Sequence, residues 1–566
     1  MFNRLCFLAC LILASHGAMF FATAEDWPHW TGPAGRNIAE DRGLPESFDR
    51  KTMRNIKWTA PLGDVAFGAP TVSDGRVYVG TNIAAVREDK RFRRLRGGVL
   101  ACLDEETGER IWHLVSPERT QGLPAGAFMK EQRWGICSSP TVDGDRVFVI
   151  TNGDDLLCLD VNGLRDGNDG PFQGEAEYMA GEGNEAVDLI DSDADIIWRY
   201  DIPRELGVAP HDVGSCSVLV LGDVVYTSTS NGIGRYDKAE SASNAVNPDA
   251  PAFIALDKRT GALLAVDDTK ISKELFHAQW GSPSLGRVGE RELVFLGGSD
   301  GVCYAFEALG RNTGSTAAPP IESLKTVWSY DCNPPHYTQA ADGTRIEYSW
   351  GDYRDYKRRA ELVRDIEDAF TRGTVSEDKV IKFRASIEKY NASDGTFVGP
   401  SEILTSPVFY EDRVYVVTGR DPLHGLGRGV LNCIDATQEG EITETGKVWS
   451  FEGIGRSLST PAVSDGLVYA ADIAGTVYCL DARTGELLWQ HGTGAEIWGN
   501  PLVADGKVYV NARRSFWIFE VGREKNVMFN ARGGSESGPI AANGVVYAFI
   551  RGQLYAIAQE AVKAAR

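Results

Sequence analysis

Nine residues with side chains suited to ligand binding stand just ahead of short apolar segments that recur along the chain. They comprise three tryptophans, two histidines, one arginine and three carboxylates. Trp rings stack on planar ligands, Arg pairs with acidic groups, and carboxylates hold Ca²⁺. If the fold brings them together, the set suits a planar acidic quinone held with calcium. The residues are Trp134, His211, Asp212, His277, Trp280, Glu402, Arg456, Glu496 and Trp498.

Two more candidates, Asp421 and His424, lie in the glycine-rich stretch Gly419 to Gly429. This stretch is not a phosphate-binding loop, because the pattern G-x-x-x-x-G-K-[ST] does not occur in the sequence. A structural interpretation of all these residues is also open: the Trp rings fill a central channel and the charged groups are solvated.

The segments that must position these residues are copies of one repeat. A small residue and Pro precede a few apolar residues, Asp-Gly and Val-Tyr, as from Ala69 to Tyr78 and from Thr460 to Tyr469. This pattern predicts a strand, a tight hairpin turn and a second strand. Six further copies, some degenerate, begin at Ser139, Ser217, Ser282, Ser406, Asn500 and Gly538.

A second pattern, Leu-Asp-x-x-Thr-Gly-Glu followed by Trp, comes after most copies and is clearest from Leu103 to Trp112 and from Leu480 to Trp489. It predicts a third strand, a Thr-Gly turn and a fourth strand. Eight such antiparallel meanders bury both of their faces when they pack around an axis. The predicted fold is therefore an all-β, eight-bladed propeller of four-stranded blades over residues 55–560, with the residues before each inner strand around the axis.

The final repeat, from Pro539 to Gln559, has three strand patterns and no Trp strand, whereas a single Trp strand around Trp58 precedes the first repeat. We therefore expect the N-terminal strand to complete the last blade. Residues 25–54 form an N-terminal extension and residues 561–566 a C-terminal tail. Residues 331–402 are expected to form a helical lid between blades 4 and 5.

Residues 1–24 have a basic start, an apolar run and a final Ala22-Thr23-Ala24, which are typical of a secretory signal peptide. A membrane anchor is the alternative, although the run is interrupted and marginal for a span. We expect an exported, monomeric protein of the periplasm or cell envelope, or a secreted one, without a transmembrane segment after cleavage. The net charge of −21 argues against nucleic-acid binding.

Two shorter insertions carry opposite charge. The loop from Arg87 to Arg96 is basic, and is either solvated or a contact for an anion or partner. The segment from Asp160 to Asp195 is acidic, which leaves calcium binding open. Among the cysteines, Cys137 and Cys216 are the two that could pair across neighbouring repeats.

The phrases "VYCLDARTGELLW" and "STPAVSDGLVY" resemble the pyrroloquinoline-quinone (PQQ) repeat. This repeat builds eight-bladed propellers in quinoprotein alcohol dehydrogenases and in the outer-membrane protein assembly factor B. The resemblance covers residues 55 to 560 and implies the same fold. It makes PQQ with calcium a candidate cofactor.

The same resemblance weighs against catalysis, because the adjacent Cys-Cys pair of the alcohol dehydrogenases and a haem motif do not occur here. The sequence favours a non-catalytic binding or scaffold protein of the cell envelope. Its partner, an envelope protein or a polysaccharide, would dock on the face with the inter-blade loops. The alternative is a PQQ- or metal-dependent oxidoreductase acting on a small alcohol or sugar.

Overall fold

Eight antiparallel sheets stand around one axis in a computed structural model of the chain, which confirms the eight-bladed propeller. The structure describes residues 25–234, 245–310, 320–338, 366, 369, 373–385, 401–420 and 428–559. The predicted signal peptide, Asp421, His424 and much of the predicted lid lie outside these residues.

The first four blades are each a meander in chain order. Blade 1 consists of Thr71–Ser73, Arg76–Asn82, Gly97–Asp104 and Arg110–Pro117, and blade 2 of Thr141–Asp143, Arg146–Ile150, Asp155–Asp160 and Ile196–Asp201. Blade 3 consists of Leu219–Leu221, Val224–Ser228, Phe253–Asp257 and Leu263–Val266, and blade 4 of Ser284–Val288, Arg291–Gly297, Val302–Glu307 and Thr326–Asp331.

The other four blades repeat this order. Blade 5 consists of Val408–Tyr410, Arg413–Val417, Leu431–Asp435 and Lys447–Phe451, and blade 6 of Ala462–Ser464, Leu467–Ala471, Thr476–Asp481 and Leu487–Gly492. Blade 7 consists of Leu502–Ala504, Lys507–Ala512, Ser515–Glu520 and Val527–Arg532, and blade 8 of Ile540–Ala542, Val545–Ile550, Gln553–Ile557 and the N-terminal Trp58–Pro61.

Ring closure by the N-terminal strand is confirmed. Trp58–Pro61 pairs antiparallel with Gln553–Ile557, with Trp58 opposite Ala556. Blades 3, 4 and 7 also gain a two-residue parallel edge strand that the repeat did not predict. These strands are Glu322–Ser323, Gly440–Glu441 and Ile38–Ala39, in that order.

Helices are short and lie between strands. The α-helices whose bounds lie within the described residues are Glu175–Ala180, Ile202–Leu206, Ile271–Glu274, Pro335–Thr338 and Glu377–Ala385, and the 3₁₀-helices there are Ile83–Val86, Gln132–Trp134 and Gly163–Arg165. Pro335–Thr338 and Glu377–Ala385 fall between blades 4 and 5, inside the predicted lid. Among the described residues, no helix is long and apolar enough to cross a membrane.

The repeated Trp joins six of the eight blades to the next, whereas the outer strands of blades 3 and 7 contain no Trp. The indole N–H of Trp112 in blade 1 donates to Val161 O in blade 2 at 2.8 Å, and that of Trp58 in blade 8 donates to Glu105 O in blade 1 at 2.9 Å. The ring of Trp58 covers Gly108, where a Cβ atom would approach the indole to 2.6 Å and φ is +74°. The Thr-Gly turn therefore needs glycine both for its backbone and for the neighbouring Trp.

Around the axis, the small residue before the inner strand links several pairs of neighbouring blades. The backbone N–H of Ser139 donates to Ser217 Oγ, and that of Ser217 donates to Ser282 Oγ, both at 2.9 Å. The same contact joins Ser406 to Thr460, again at 2.9 Å. Hydroxyl side chains at this position therefore accept hydrogen bonds that would otherwise be missing in the buried centre.

The N-terminal extension contacts residues in or next to the inner strands of several blades. Trp27 exchanges two backbone hydrogen bonds of 2.9 Å with Val72 in blade 1, and Trp30 Nε1 donates to Ser406 Oγ beside blade 5 at 3.0 Å. Asp41 accepts from the Gly544 N–H in blade 8 at 2.6 Å. The extension thus connects blade 1 with blade 5, on the opposite side of the ring.

Candidate functional site

A cavity of 160 Å³ lies on the propeller axis, on the face that carries the loops between blades. Every blade contributes to its wall the residue three positions before the proline of its repeat, or before Val218 in blade 3, where no proline occurs. In blade order these residues are Phe67, Cys137, Ser215, Trp280, Leu404, Leu458, Trp498 and Glu536. The wall is completed by Trp30, Trp134, Asp212, Val213, Ser217 and Ser282.

Aromatic rings dominate the wall. Phe67 lies between two tryptophans, with its ring centroid 5.2 Å from that of Trp134 and 5.5 Å from that of Trp498. Trp30 adds a further ring to the wall from the N-terminal extension. Two carboxylates, Asp212 and Glu536, are the acidic groups in this otherwise apolar and hydroxyl-bearing wall.

The structure brings four of the predicted residues to the cavity: Trp134, Asp212, Trp280 and Trp498. Glu496 lies at the rim, where it accepts from Trp498 Nε1 at 3.0 Å and pairs with Arg513 at 2.9 Å. Arg513 also pairs with Glu536 at 2.8 Å, and its guanidinium lies 5.5 Å from the ring centroid of Trp498.

The remaining described candidates are buried beside the cavity and are not part of its wall. Glu402 accepts from Ser299 Oγ at 2.9 Å, and Arg456 is 1% exposed. His211 and His277 are both fully buried, with ring centroids 4.4 Å apart, and His277 contacts Trp280 at 4.9 Å. The predicted ring of nine is thus split between the cavity wall, its rim and the layer behind it.

Sequence reasoning missed six of the eight equivalent wall positions, because candidates were chosen by the chemistry of their side chains. Phe67 and Glu536 stand at the same offset from a proline as Trp280 and Trp498. The distance of a residue from the repeat proline would therefore have identified these wall positions in the sequence. Trp30 had no such signal, because it reaches the cavity through the path of the N-terminal extension.

Cys137 lines the cavity as a neutral thiol. Burial raises its pKa to about 12, so it remains protonated at neutral pH. Its Sγ lies 3.4 Å from Gly135 O, and the Sγ of Cys216 lies 3.3 Å from Ser217 O. The two cysteines form no disulfide in the structure.

A larger cavity of 570 Å³ lies at the rim of blades 1 and 2, and part of the acidic segment from Asp160 to Asp195, for which the sequence left calcium binding open, lines it. Its guanidinium groups are already engaged. Arg119 contacts both oxygens of Asp201 at 2.6 and 2.7 Å, and Arg199 pairs with Asp155 at 2.9 Å. These ion pairs connect two strands of blade 2 with each other and with Arg119, which follows the last strand of blade 1, so their role is structural.

The insertions at this rim also contact each other. Arg91, in the basic loop, pairs with Asp193, in the acidic segment, through a contact of 2.5 Å. Asp160 is likewise paired with Arg146 at 2.8 Å. The basic loop thus has a partner within the same chain, and these carboxylates face arginines.

Two segments of the sequence, residues 96–163 and 427–535, match the PQQ_2 family, which is described as outer membrane protein assembly factor BamB. No curated protein matches the chain. Among solved structures, BamB from Moraxella catarrhalis has a TM-score of 0.44 and 13% sequence identity, covering 88% of this chain and 98% of that protein.

Quinohemoprotein alcohol dehydrogenase from Comamonas testosteroni has a TM-score of 0.39 and 11% identity, covering 96% of this chain and 82% of its own. A europium-containing methanol dehydrogenase has a TM-score of 0.39 and 12% identity, covering 92% of this chain and 89% of its own. The two matched segments fall in blades 1 and 2 and in blades 5 to 7. The chain therefore resembles the PQQ-like, BamB-type repeat family, as its repeats had indicated.

Proposed function

We propose that this chain is a binding protein of the cell envelope, and that a protein partner docks on the face with the inter-blade loops. The axial cavity is the observation that supports this proposal. At 160 Å³ it is smaller than the cavities of about 300–1,000 Å³ that enclose drug-sized ligands. A space of this size suits one anchoring side chain of a docked partner.

The cavity wall favours a basic anchor. Tryptophan faces attract Lys and Arg through cation–π interactions, and Asp212 and Glu536 add negative charge. Arg513 illustrates this mode within the chain, because its guanidinium lies near Trp498 and pairs with Glu536. The net charge of −21 would further attract a basic partner at long range. The envelope location is supported by the signal-peptide pattern of residues 1–24.

The test is a titration of the purified full-length chain with short peptides that carry one central Arg, Lys or Glu, followed by tryptophan fluorescence. We expect saturable binding of the Arg and Lys peptides, and binding at least about tenfold weaker in Trp280→Ala and Trp498→Ala. Trp517→Ala is the matched control, because Trp517 lies on the third strand of blade 7 and does not line the cavity.

Two results would contradict the proposal. Equal binding of the Glu peptides would show that the cavity does not select a basic group. Binding of a soluble oligosaccharide without binding of any peptide would assign the face to a polysaccharide.

A PQQ-dependent oxidoreductase is less well supported by the cavity. PQQ is a tricarboxylic acid, whereas the described wall contains two carboxylates and neither Lys nor Arg. Burying anionic groups beside carboxylates without a cation is unfavourable. Calorimetric titration with PQQ, with and without Ca²⁺, is expected to give no saturable heat. One-to-one binding of PQQ with a dissociation constant of about a micromolar or tighter, a binding free energy near −8 kcal/mol, would instead favour the oxidoreductase function.

A further inference from the structure

Two histidines and an aspartate meet in the buried layer behind the axial cavity, between blades 3 and 4. One ligand atom each from His211, Asp212 and His277 lie within 4.8 Å of one another. His211 Nε2 is 3.7 Å from Asp212 Oδ2. Within the described part of the chain, this is the one group of three or more His, Cys, Asp or Glu side chains placed to share a metal ion.

The backbone is bent to bring two consecutive residues to the same point. Neighbouring side chains on an extended strand point to opposite faces, so His211 and Asp212 would normally diverge. Asp212 instead has φ of +59°, in the left-handed region that is uncommon for residues other than glycine. Hydrogen bonds from Asp212 N to Phe128 O at 2.6 Å and from Val213 N to His211 O at 2.7 Å hold this turn.

The hydrogen bond between His211 and Ile233 fixes the tautomer of the His211 ring. Its Nδ1 lies 2.6 Å from the carbonyl oxygen of Ile233, an acceptor, so Nδ1 carries the proton and donates. In the neutral ring, Nε2 is then unprotonated and faces Asp212. A ring nitrogen fixed in this way by a backbone carbonyl is the usual support of a histidine that binds a metal.

We propose that His211 Nε2, the Asp212 carboxylate and the His277 imidazole form a site for a divalent transition metal of the zinc type. Two imidazoles favour Zn²⁺ and its neighbours over Ca²⁺, which takes oxygen ligands. Three protein ligands are the set that leaves a coordination position for water or substrate. Since Asp212 also lines the axial cavity, the metal would lie at the cavity wall. The proposal does not rest on a partner in the cavity, although the metal would neutralise the negative charge that Asp212 adds there and leave Glu536 and the Trp rings to attract a basic group.

The test uses the full-length chain, freed of metal by a chelator and titrated with Co²⁺ or Zn²⁺. We expect one Co²⁺ per chain, with visible absorption bands of a low-coordinate site, displaced by Zn²⁺ of micromolar affinity or tighter. His277→Gln and Asp212→Asn should weaken binding by at least about 100-fold, since loss of a mere supporting partner already costs 10- to 100-fold. His113→Gln is the matched control, because His113 also lies 3.7 Å from a buried carboxylate.

Two outcomes would overturn the proposal. The first is that the chain binds no Co²⁺ or Zn²⁺ above a stoichiometry of 0.1. The second is that His277→Gln binds metal as tightly as the unmodified chain and with the same Co²⁺ spectrum. If a variant fails to fold, as judged by circular dichroism, the spectrum of the unmodified chain decides, because octahedral Co²⁺ with oxygen ligands alone absorbs far more weakly.

Discussion

Two buried histidines lie beside a carboxylate with the same geometry but in different surroundings. His113 Nε2 is 3.7 Å from Asp193 Oδ1 at the rim of blades 1 and 2, and His211 Nε2 is 3.7 Å from Asp212 Oδ2 near the axis. In the first pair, the Arg91 guanidinium donates hydrogen bonds to both carboxylate oxygens of Asp193, at 2.5 and 3.0 Å. In the second pair, the next neighbour is another imidazole, that of His277.

The residue next to each His–carboxylate pair therefore distinguishes the two: Arg91 in the first and His277 in the second. With Arg91 on Asp193, burial and the nearby Arg110 lower the pKa of His113 to about 4, so the ring stays neutral and packs against Phe92. An additional imidazole beside Asp212 instead completes a set of metal ligands. A His–carboxylate distance alone thus does not identify a functional site.

The largest expected effect is loss of Arg91 from the first pair. Arg91→Met leaves the fully buried Asp193 carboxylate without its guanidinium, and should lower the free energy of unfolding by about 3–5 kcal/mol. Urea denaturation measures this change. Arg87→Met is the control, since the Arg87–Asp64 pair is 65% exposed on both sides and contributes about 1 kcal/mol or less. Equal losses in the two variants would show that the buried ion pair does not support the rim.

The second effect is a pH dependence that arises from His113. Because its pKa is lower in the folded state than in the unfolded state, the unfolded chain binds the extra proton between pH 6.5 and about 4. Above pH 6.5, His113 is neutral in both states and does not lower the free energy of unfolding. As the pH drops from 6.5 to about 4, protonation of the unfolded chain lowers this free energy by about 3 kcal/mol. The difference between the unmodified chain and His113→Gln, measured by denaturation at several pH values, isolates it. Parallel stability curves would contradict the assignment.

The smallest effect concerns the second pair. Zn²⁺ at a free concentration of 100 times its dissociation constant should stabilise the chain by about 2.7 kcal/mol, because it binds the folded state. Thermal denaturation should show this gain in the unmodified chain and in His113→Gln, and not in Asp212→Asn. A gain in all three would place the zinc elsewhere in the molecule.

The propeller could be predicted from sequence because its signals are local and repeated eight times. Each of these signals corresponds to a contact that recurs between blades or strands. They are the Asp-Gly turn, the Thr-Gly turn and the Trp strand, and the Trp58 ring over Gly108 is one example. Ring closure followed from one missing strand at the C-terminus and one extra strand at the N-terminus. The short edge strands in blades 3, 4 and 7 could not be foreseen, because they come from loops and the N-terminal extension.

The site was only partly predictable. Phe67 and Glu536 occupy the same position in the repeat as Trp498. They were not predicted, because candidates were selected by side-chain type and not by position in the repeat. The left-handed turn at Asp212 and the approach of His277 depend on how two loops pack, and no periodic pattern encodes that. The pairing of Arg91 with Asp193 joins insertions of different blades, and was equally invisible in the sequence.

Closure of the ring pairs a strand near the start of the chain with a strand near its end. Trp58–Pro61 has no partner until Gln553–Ile557 has been made, and Asn543 donates to Asp26 across a sequence separation of 517 residues. Contacts of such sequence separation form slowly, because a long loop must close before they stabilise anything. A chain that stops before Gln553 therefore keeps an open blade with unpaired strand edges. Blade 8 is therefore complete only when Gln553–Ile557 is present.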